Sequence, residues 1–300
     1  MTTAFVLSGG GSLGAIQVGM LQALADFHIQ PDLLVGTSAG ALNGAFIAGH
    51  GPDADGLDAL GGVWARLRAR TVFSLAPRQT LTALAGSSTG VCSDRGLRAL
   101  LDQHLQYDAL EDAPIPLVVV TTDLLTGREV ALSTGDARRA VLASCAIPAV
   151  FPPVIHEDKV LVDGGLANNS AVSQAVLAGA DTVYVLTSGY ACALTHLPRT
   201  PWGVATHALT LLTHQRLAAD VAFYADRVDL IVLPTPCPLH VSPIDFGRAR
   251  ELTRVGRDLA RQWLTQEGGR RPHPERYLGL HDHMRESKNS DHVAPATSPG

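Results

Sequence analysis

Three hundred residues with 46% hydrophobic and 17% charged side chains hold enough apolar material for a sizeable core, which excludes an intrinsically disordered chain. A net charge of −5 excludes a polyanion partner held by overall electrostatics, so no nucleic acid is expected. Cys92, Cys145, Cys192 and Cys237 stand far apart with no Cys-x-x-Cys pair, and they read as isolated thiols rather than a disulfide framework or metal site.

Ala4-Phe5-Val6-Leu7 predicts a short strand, ended by Ser8-Gly9-Gly10-Gly11-Ser12-Leu13-Gly14. From Ala15 to His28 apolar residues recur at helical spacing (Ile16, Met20, Leu21, Leu24, Phe27), and Leu33-Leu34-Val35 predicts a second strand, giving a β-α-β unit with a parallel pair. That strand runs into Gly36-Thr37-Ser38-Ala39-Gly40, and the small apolar residues up to Gly49 suit a buried helix. Residues 53–110 read as mainly helical, with a stripe of Leu57, Leu60, Val63, Trp64 and Leu67 and a solvated basic face of Arg66, Arg68 and Arg70. Ser87–Gly90 reads as a loop, after which Ser93 or Asp94 caps a helix through Leu105.

Ile115–Thr122 is a continuous apolar, β-branched run, as expected of a buried central strand, and Glu129–Leu132 is placed to pair back on it. Asp136 is a candidate cap for a helix over Ala137–Ser144. The prolines in Ile147–Val154 then force an extended path, which reads as core packing or the lining of an acyl pocket. Val160-Leu161-Val162 leads into the Asp163-Gly164-Gly165 turn and the polar cluster Asn168-Asn169-Ser170, before a helix over Ala171–Ala178. Strands at 182–186 and 228–233 and helices over 202–224 and 246–266 complete an alternating α/β pattern, expected as one domain over 1–267. In the helix over 202–224, the apolar Trp202–Leu212 stretch is expected to pack on the core rather than dip into a membrane interface. Residues 268–300 turn polar and read as a tail with little core, where His281 and His283 are expected to be solvated. No stretch is long enough to span a bilayer and Met1–Leu7 carries no leader signal, so a cytoplasmic location is expected.

Chemistry concentrates at three turns. Gly-x-Ser-x-Gly between a strand and a helix reads as a nucleophile elbow: Gly36 and Gly40 leave no side chains where the backbone turns sharply, and Ser38 stands exposed at the strand end. Three successive glycines at the mouth of a helix offer backbone N–H groups to an anion. Gly9-x-Gly11-x-x-Gly14 also satisfies a dinucleotide fingerprint, but the acidic residue that would hold a ribose is missing from the end of the second strand. Asp32 precedes that strand and the elbow occupies its end. Asp163, on a turn relieved by Gly164 and Gly165, is able to approach another loop closely.

Taken together, Gly9-Gly10-Gly11-Ser12-Leu13-Gly14, Gly36-Thr37-Ser38-Ala39-Gly40 and Asp163-Gly164-Gly165, in that order, resemble the blocks of the patatin-like phospholipase family. Thr122–Gly127 and Ser144–Pro153 are similar to supporting blocks of that family. The resemblance implies a three-layer α/β/α fold with a mainly parallel central sheet. It implies a lipid acyl hydrolase with a Ser–Asp dyad, Ser38 as nucleophile and Asp163 as base, working without cofactor or metal. Gly9, Gly10, Gly11 and Ser12 would form the oxyanion hole. The implied partner is a lipid or acyl-ester substrate, reached by transient contact at a membrane surface. Leu13 departs from the pattern: the family usually carries Arg or Lys there, which puts phospholipid preference in doubt. Two alternatives remain beside the dyad, a Ser-His-Asp esterase using a histidine such as His156, His196 or His240, and a non-catalytic binding protein on the same scaffold.

Overall fold

The computed structural model describes residues 1–75, 89–189, 198, 200–237, 239, 241–267 and 278. Its strands are β1 (Thr3–Leu7), β2 (Leu33–Thr37), β3 (Ser74–Leu75), β4 (Cys92–Ser93), β5 (Leu117–Asp123), β6 (Glu129–Leu132), β7 (Val154–His156), β8 (Lys159–Asp163), β9 (Thr182–Leu186) and β10 (Asp229–Val232). The main sheet runs in the order β10-β9-β1-β2-β5-β8-β7, with β6 also paired to β5, while β3 and β4 form a separate hairpin. From β10 to β5 all pairings are parallel; β6, β7 and β8 add antiparallel ones. The expected mainly parallel sheet is therefore present.

Why the strands are apolar without interruption is plain from where alternate residues go. Phe5 and Leu7 enter one core cluster, Ala4 and Val6 the other; Leu34 divides from Leu33 and Val35 in the same way. A strand covered on both faces has no reason to alternate with polar residues. The first face carries α1 (Gly14–Asp26), α2 (Ala39–His50), α3 (Ala54–Arg66) and the helices Arg95–His104, Ala137–Ser144 and Ala249–Glu267; the second carries Val172–Leu177 and Pro201–Tyr224. This is the three-layer α/β/α arrangement.

Several local expectations are met. Asp136 accepts from the Arg139 amide at 2.9 Å and caps its helix. In the helix Arg95–His104 the side-chain cap is Ser93, whose Oγ accepts from the Arg95 amide at 3.3 Å, while Asp94 makes no such bond. The helix α1 packs closely on Ala249–Glu267, where a Cβ on Gly19 would lie 2.0 Å from the Thr253 carbonyl oxygen. Two expectations are corrected. Ile147–Phe151 turns instead of running extended, with the Val150 and Phe151 amides donating to the Ile147 carbonyl oxygen at 3.0 and 2.9 Å and Ala149 at φ 65°. In Pro201–Tyr224 only the later turns are buried, through His214, Leu217 and Val221, while Val204, Leu209 and Leu212 are exposed. Apolar composition located the helix but not the depth at which its first turns lie. Of the expected tail only Leu278 is described; it is buried in the second core cluster, and its carbonyl oxygen lies 2.7 Å from His214 Nε2. His281, His283 and the Ser87-Ser88 part of the expected loop lie outside the described residues.

Candidate active site

The strand β5 serves as a template on which two distant turns meet. Parallel β2 pairs with its first half, ending with Thr37 opposite Val120, and antiparallel β8 pairs with its second half, ending with Asp163 opposite Thr121. Strand β6 covers residues 119–122 from the other edge. So β2 and β8 follow one another along a single edge of β5, and their C-terminal ends meet head to head. The residue after Thr37 is Ser38, and its Oγ donates to Asp163 Oδ2 at 2.6 Å.

Each member is placed by backbone that tolerates no bulk. Ser38 has φ 53° and ψ −120°, a conformation that side-chain-bearing residues rarely adopt, and it is the N-cap of α2. A Cβ on Gly40 would fall 2.0 Å from the Leu7 carbonyl oxygen and one on Gly36 2.6 Å from Ala41 Cα. Both elbow glycines are thus required by close approach of α2 to β1 and β2. Gly164 passes the Val120 carbonyl oxygen, which an added Cβ would meet at 2.2 Å, and the Gly165 amide donates to Asp163 Oδ1 at 2.8 Å. Gly14 packs against Ala39 and Trp64.

The glycine loop lies over the serine: a Cβ on Gly9 would come 3.1 Å from Ser38 Cβ. Its four residues are not equivalent. The Gly9 amide donates to the Asn169 carbonyl oxygen at 3.3 Å, and the Ser12 amide to the Pro243 carbonyl oxygen at 2.7 Å. Ser12 Oγ is also engaged, donating to the Ser242 carbonyl oxygen at 3.0 Å. Among the described residues no acceptor faces the Gly10 and Gly11 amides. Of the four residues expected to form an oxyanion hole, Gly9 and Ser12 use their amides to tie the loop down at its two ends, and among the described residues the amides of Gly10 and Gly11 carry no such bond.

Burial dominates the electrostatics. Desolvation pushes the Asp163 carboxyl up to about 6, against the opposing pull of its bonds from Ser38 and Gly165. Among the described residues no histidine nitrogen hydrogen-bonds Ser38 or Asp163; His196 and His240 lie outside them. Leu13 is partly buried against the first core cluster.

Several polar residues that support this geometry carry no motif. Gln17, fully buried on α1, donates to the Ser8 carbonyl oxygen at 2.7 Å and to Ser188 Oγ at 3.0 Å. Asn43 on α2 donates to Gln17 Oε1 at 2.9 Å and accepts from Trp64 Nε1 at 2.7 Å. The relay joins the helix behind the serine to the root of the glycine loop. Nothing local in the sequence marks Gln17 apart from Gln22 on the same helix, so the relay shows only in the packed structure.

The chain is 27% identical to a lysophospholipase (nte1) of Aspergillus terreus over 285 residues, covering 88% of this chain and 18% of that protein. It is 30% identical to patatin-like phospholipase domain-containing protein 7 of Rattus norvegicus over 192 residues, covering 62% of this chain and 13% of that protein. The chain thus spans less than a fifth of the length of these curated relatives. Among solved structures, VipD from Legionella pneumophila matches with 18% identity and a TM-score of 0.47 over 88% of this chain and 67% of that one. The family model described as patatin-like phospholipase matches residues 5–176, a span that holds the glycine loop, the Ser38 elbow and the Asp163 turn, and the chain belongs to that family.

Proposed function

We propose that the chain is a serine acyl hydrolase that cleaves carboxylic esters of lipids through an acyl-Ser38 intermediate, with Asp163 as its general base. The 2.6 Å bond from Ser38 Oγ to Asp163 Oδ2 carries this reading. As Oγ attacks the ester carbonyl, its proton passes to Asp163, so no free alkoxide has to form. The tetrahedral oxyanion is held by the Gly10 and Gly11 amides, a contribution worth about 2.7–4 kcal/mol per donor in comparable sites. Collapse expels the alcohol, which takes the proton from Asp163. Water then attacks the acyl-serine as Asp163 accepts its proton, and collapse releases the carboxylic acid while Asp163 returns that proton to the departing Ser38 Oγ, which restores both residues. The raised carboxyl suits the role: near 6 it is ionised at neutral pH yet a stronger base than an ordinary aspartate.

The substrate class rests on the family and on relatives whose names describe lysophospholipases. Leu13 supplies no positive charge beside the oxyanion donors, so the reading is lipid acyl ester rather than a particular head group. Lipid is reached by transient contact at a membrane surface. No helix among the described residues is long and apolar enough to cross one. Leu124, Leu125 and Leu166, exposed on the turns that follow β5 and β8, support a peripheral contact beside the dyad.

The test is labelling by a fluorophosphonate probe with mass-spectrometric mapping, alongside hydrolysis of p-nitrophenyl acyl esters. The adduct is expected on Ser38, and both Ser38→Ala and Asp163→Asn are expected to abolish turnover while remaining folded. A folded Asp163→Asn variant with undiminished turnover would refute the dyad; an unlabelled wild-type protein would favour a binding role.

A further inference from the structure

We propose that the three consecutive residues Ser144, Cys145 and Ala146 form a clamp that holds the nucleophile and its base in register, with Ser144 as the principal positioning residue. The inference rests on the dyad reading above and deepens it.

The strained Ser38 backbone persists only if its surroundings hold it there. Its amide donates to Ser144 Oγ at 2.8 Å. Ser144 in turn donates its own proton to the Val120 carbonyl oxygen at 2.6 Å, so the hydroxyl rotor is fixed with a lone pair toward Ser38. The anchor is the central sheet itself, since Val120 is the β5 residue opposite Thr37. On the other side of the same residue, Cys145 Sγ donates to the Ser38 carbonyl oxygen at 3.3 Å. Burial and the nearby Asp163 push this thiol well above its ordinary value, which keeps it a protonated donor. The third residue reaches the base, because the Asp163 amide donates to the Ala146 carbonyl oxygen at 3.0 Å.

One short segment therefore grips both peptide groups of Ser38 and the backbone of Asp163. It also removes the Ser38 amide from the set of free oxyanion donors. Ser144 is fully buried, so without its hydroxyl the Ser38 amide has no substitute acceptor within reach of water.

The experiment compares Ser144→Ala with Ala140→Gly, a buried position on the same helix chosen as a destabilisation control. For Ser144→Ala we expect kcat to fall by tenfold or more with KM nearly unchanged, and fluorophosphonate labelling to slow in parallel. The acid limb of the rate profile should also move upward, because the bond from Ser38 lowers the Asp163 carboxyl and is weakened when Ser38 shifts. Ala140→Gly should lower thermal stability and leave kcat and the acid limb alone. If Ser144→Ala stays within twofold of wild type, or if Ala140→Gly reproduces its losses, the clamp is refuted. Should Ser144→Ala fail to fold, Cys145 decides: Cys145→Ser keeps a donor and should retain kcat, while Cys145→Ala should lose it, and equal behaviour of the two overturns the proposal. A dyad that fails shows as an active Asp163→Asn variant, whereas a clamp that fails shows as an unimpaired Ser144→Ala variant, so the two failures remain distinguishable.

Discussion

Replacing the proposed base should make the protein more stable as it makes it inactive. Burial lifts the Asp163 carboxyl from 3.8 to about 6. At about 1.36 kcal/mol per pKa unit, this corresponds to roughly 3 kcal/mol by which the ionised group destabilises the fold at neutral pH. The sign follows from proton counts: between pH 3.8 and 6 the folded state holds a proton the unfolded chain has released, so this group's contribution to stability falls as pH rises through that window. Asp163→Asn removes the charge and keeps the shape. Its carbonyl oxygen can still accept from the Gly165 amide, and its NH2 can donate to Ser38 Oγ in the reverse sense of the present bond. We therefore expect the variant to gain up to about 3 kcal/mol above pH 7, an upper bound of roughly 6 °C in Tm, with the gain vanishing below about pH 4. Thermal unfolding of both proteins across pH 4 to 8 measures it, because every other titrating group cancels in the difference. A variant no more stable than wild type at pH 8, or a gap independent of pH, would refute the reasoning.

In the wild type, kcat/KM for an uncharged ester should fall about tenfold per pH unit below the Asp163 value of about 6; a profile flat down to pH 4.5 would exclude Asp163 as the base. Gly9→Ala would put a Cβ 2.5 Å from Asn169 Oδ1 and 3.1 Å from Ser38 Cβ. It should cut kcat/KM by about 100-fold through displacement of the glycine loop proposed to hold the oxyanion, and near-normal steady-state kinetics would show that the loop is not held as described. Trp64→Phe leaves the buried Asn43 Oδ1 without its 2.7 Å donor and should cost about 1–3 kcal/mol in urea unfolding. An unchanged midpoint would mean that the relay through Asn43 and Gln17 contributes nothing to the fold.

Motifs made the candidate pair Ser38 and Asp163 legible, but not the residues that support it. Ser38 and Asp163 sit on glycine-flanked turns, each of which by itself also suits an ordinary turn, and it is the ordered set of blocks that singles them out. Ser144, Cys145, Gln17 and Asn43 stand inside helical stretches where a single small polar residue has no local signature. Their partners are decided by packing across the sheet, as with Ser144 bonded to Val120 and Ser38 at once. The glycine loop shows the same division. Four consecutive residues offered similar amides on paper, and only contacts with Asn169 and Pro243 distinguish the tethered amides from the free ones. In Pro201–Tyr224 the periodicity was readable, whereas the exposure of Val204, Leu209 and Leu212 depends on how far the helix overhangs the sheet.

What the amino-acid sequence determined by itself was local: apolar runs that must be covered on both faces, turns that only glycine permits, and a serine and an aspartate at strand ends. These follow from sterics and burial within a few residues. The meeting of Ser38 with Asp163, 125 positions apart, was decided by tertiary structure alone. It depends on β2 and β8 sharing one edge of β5 in a register that sets Thr37 and Asp163 opposite adjacent residues, and hydrogen-bond register between strands is not written in either strand separately.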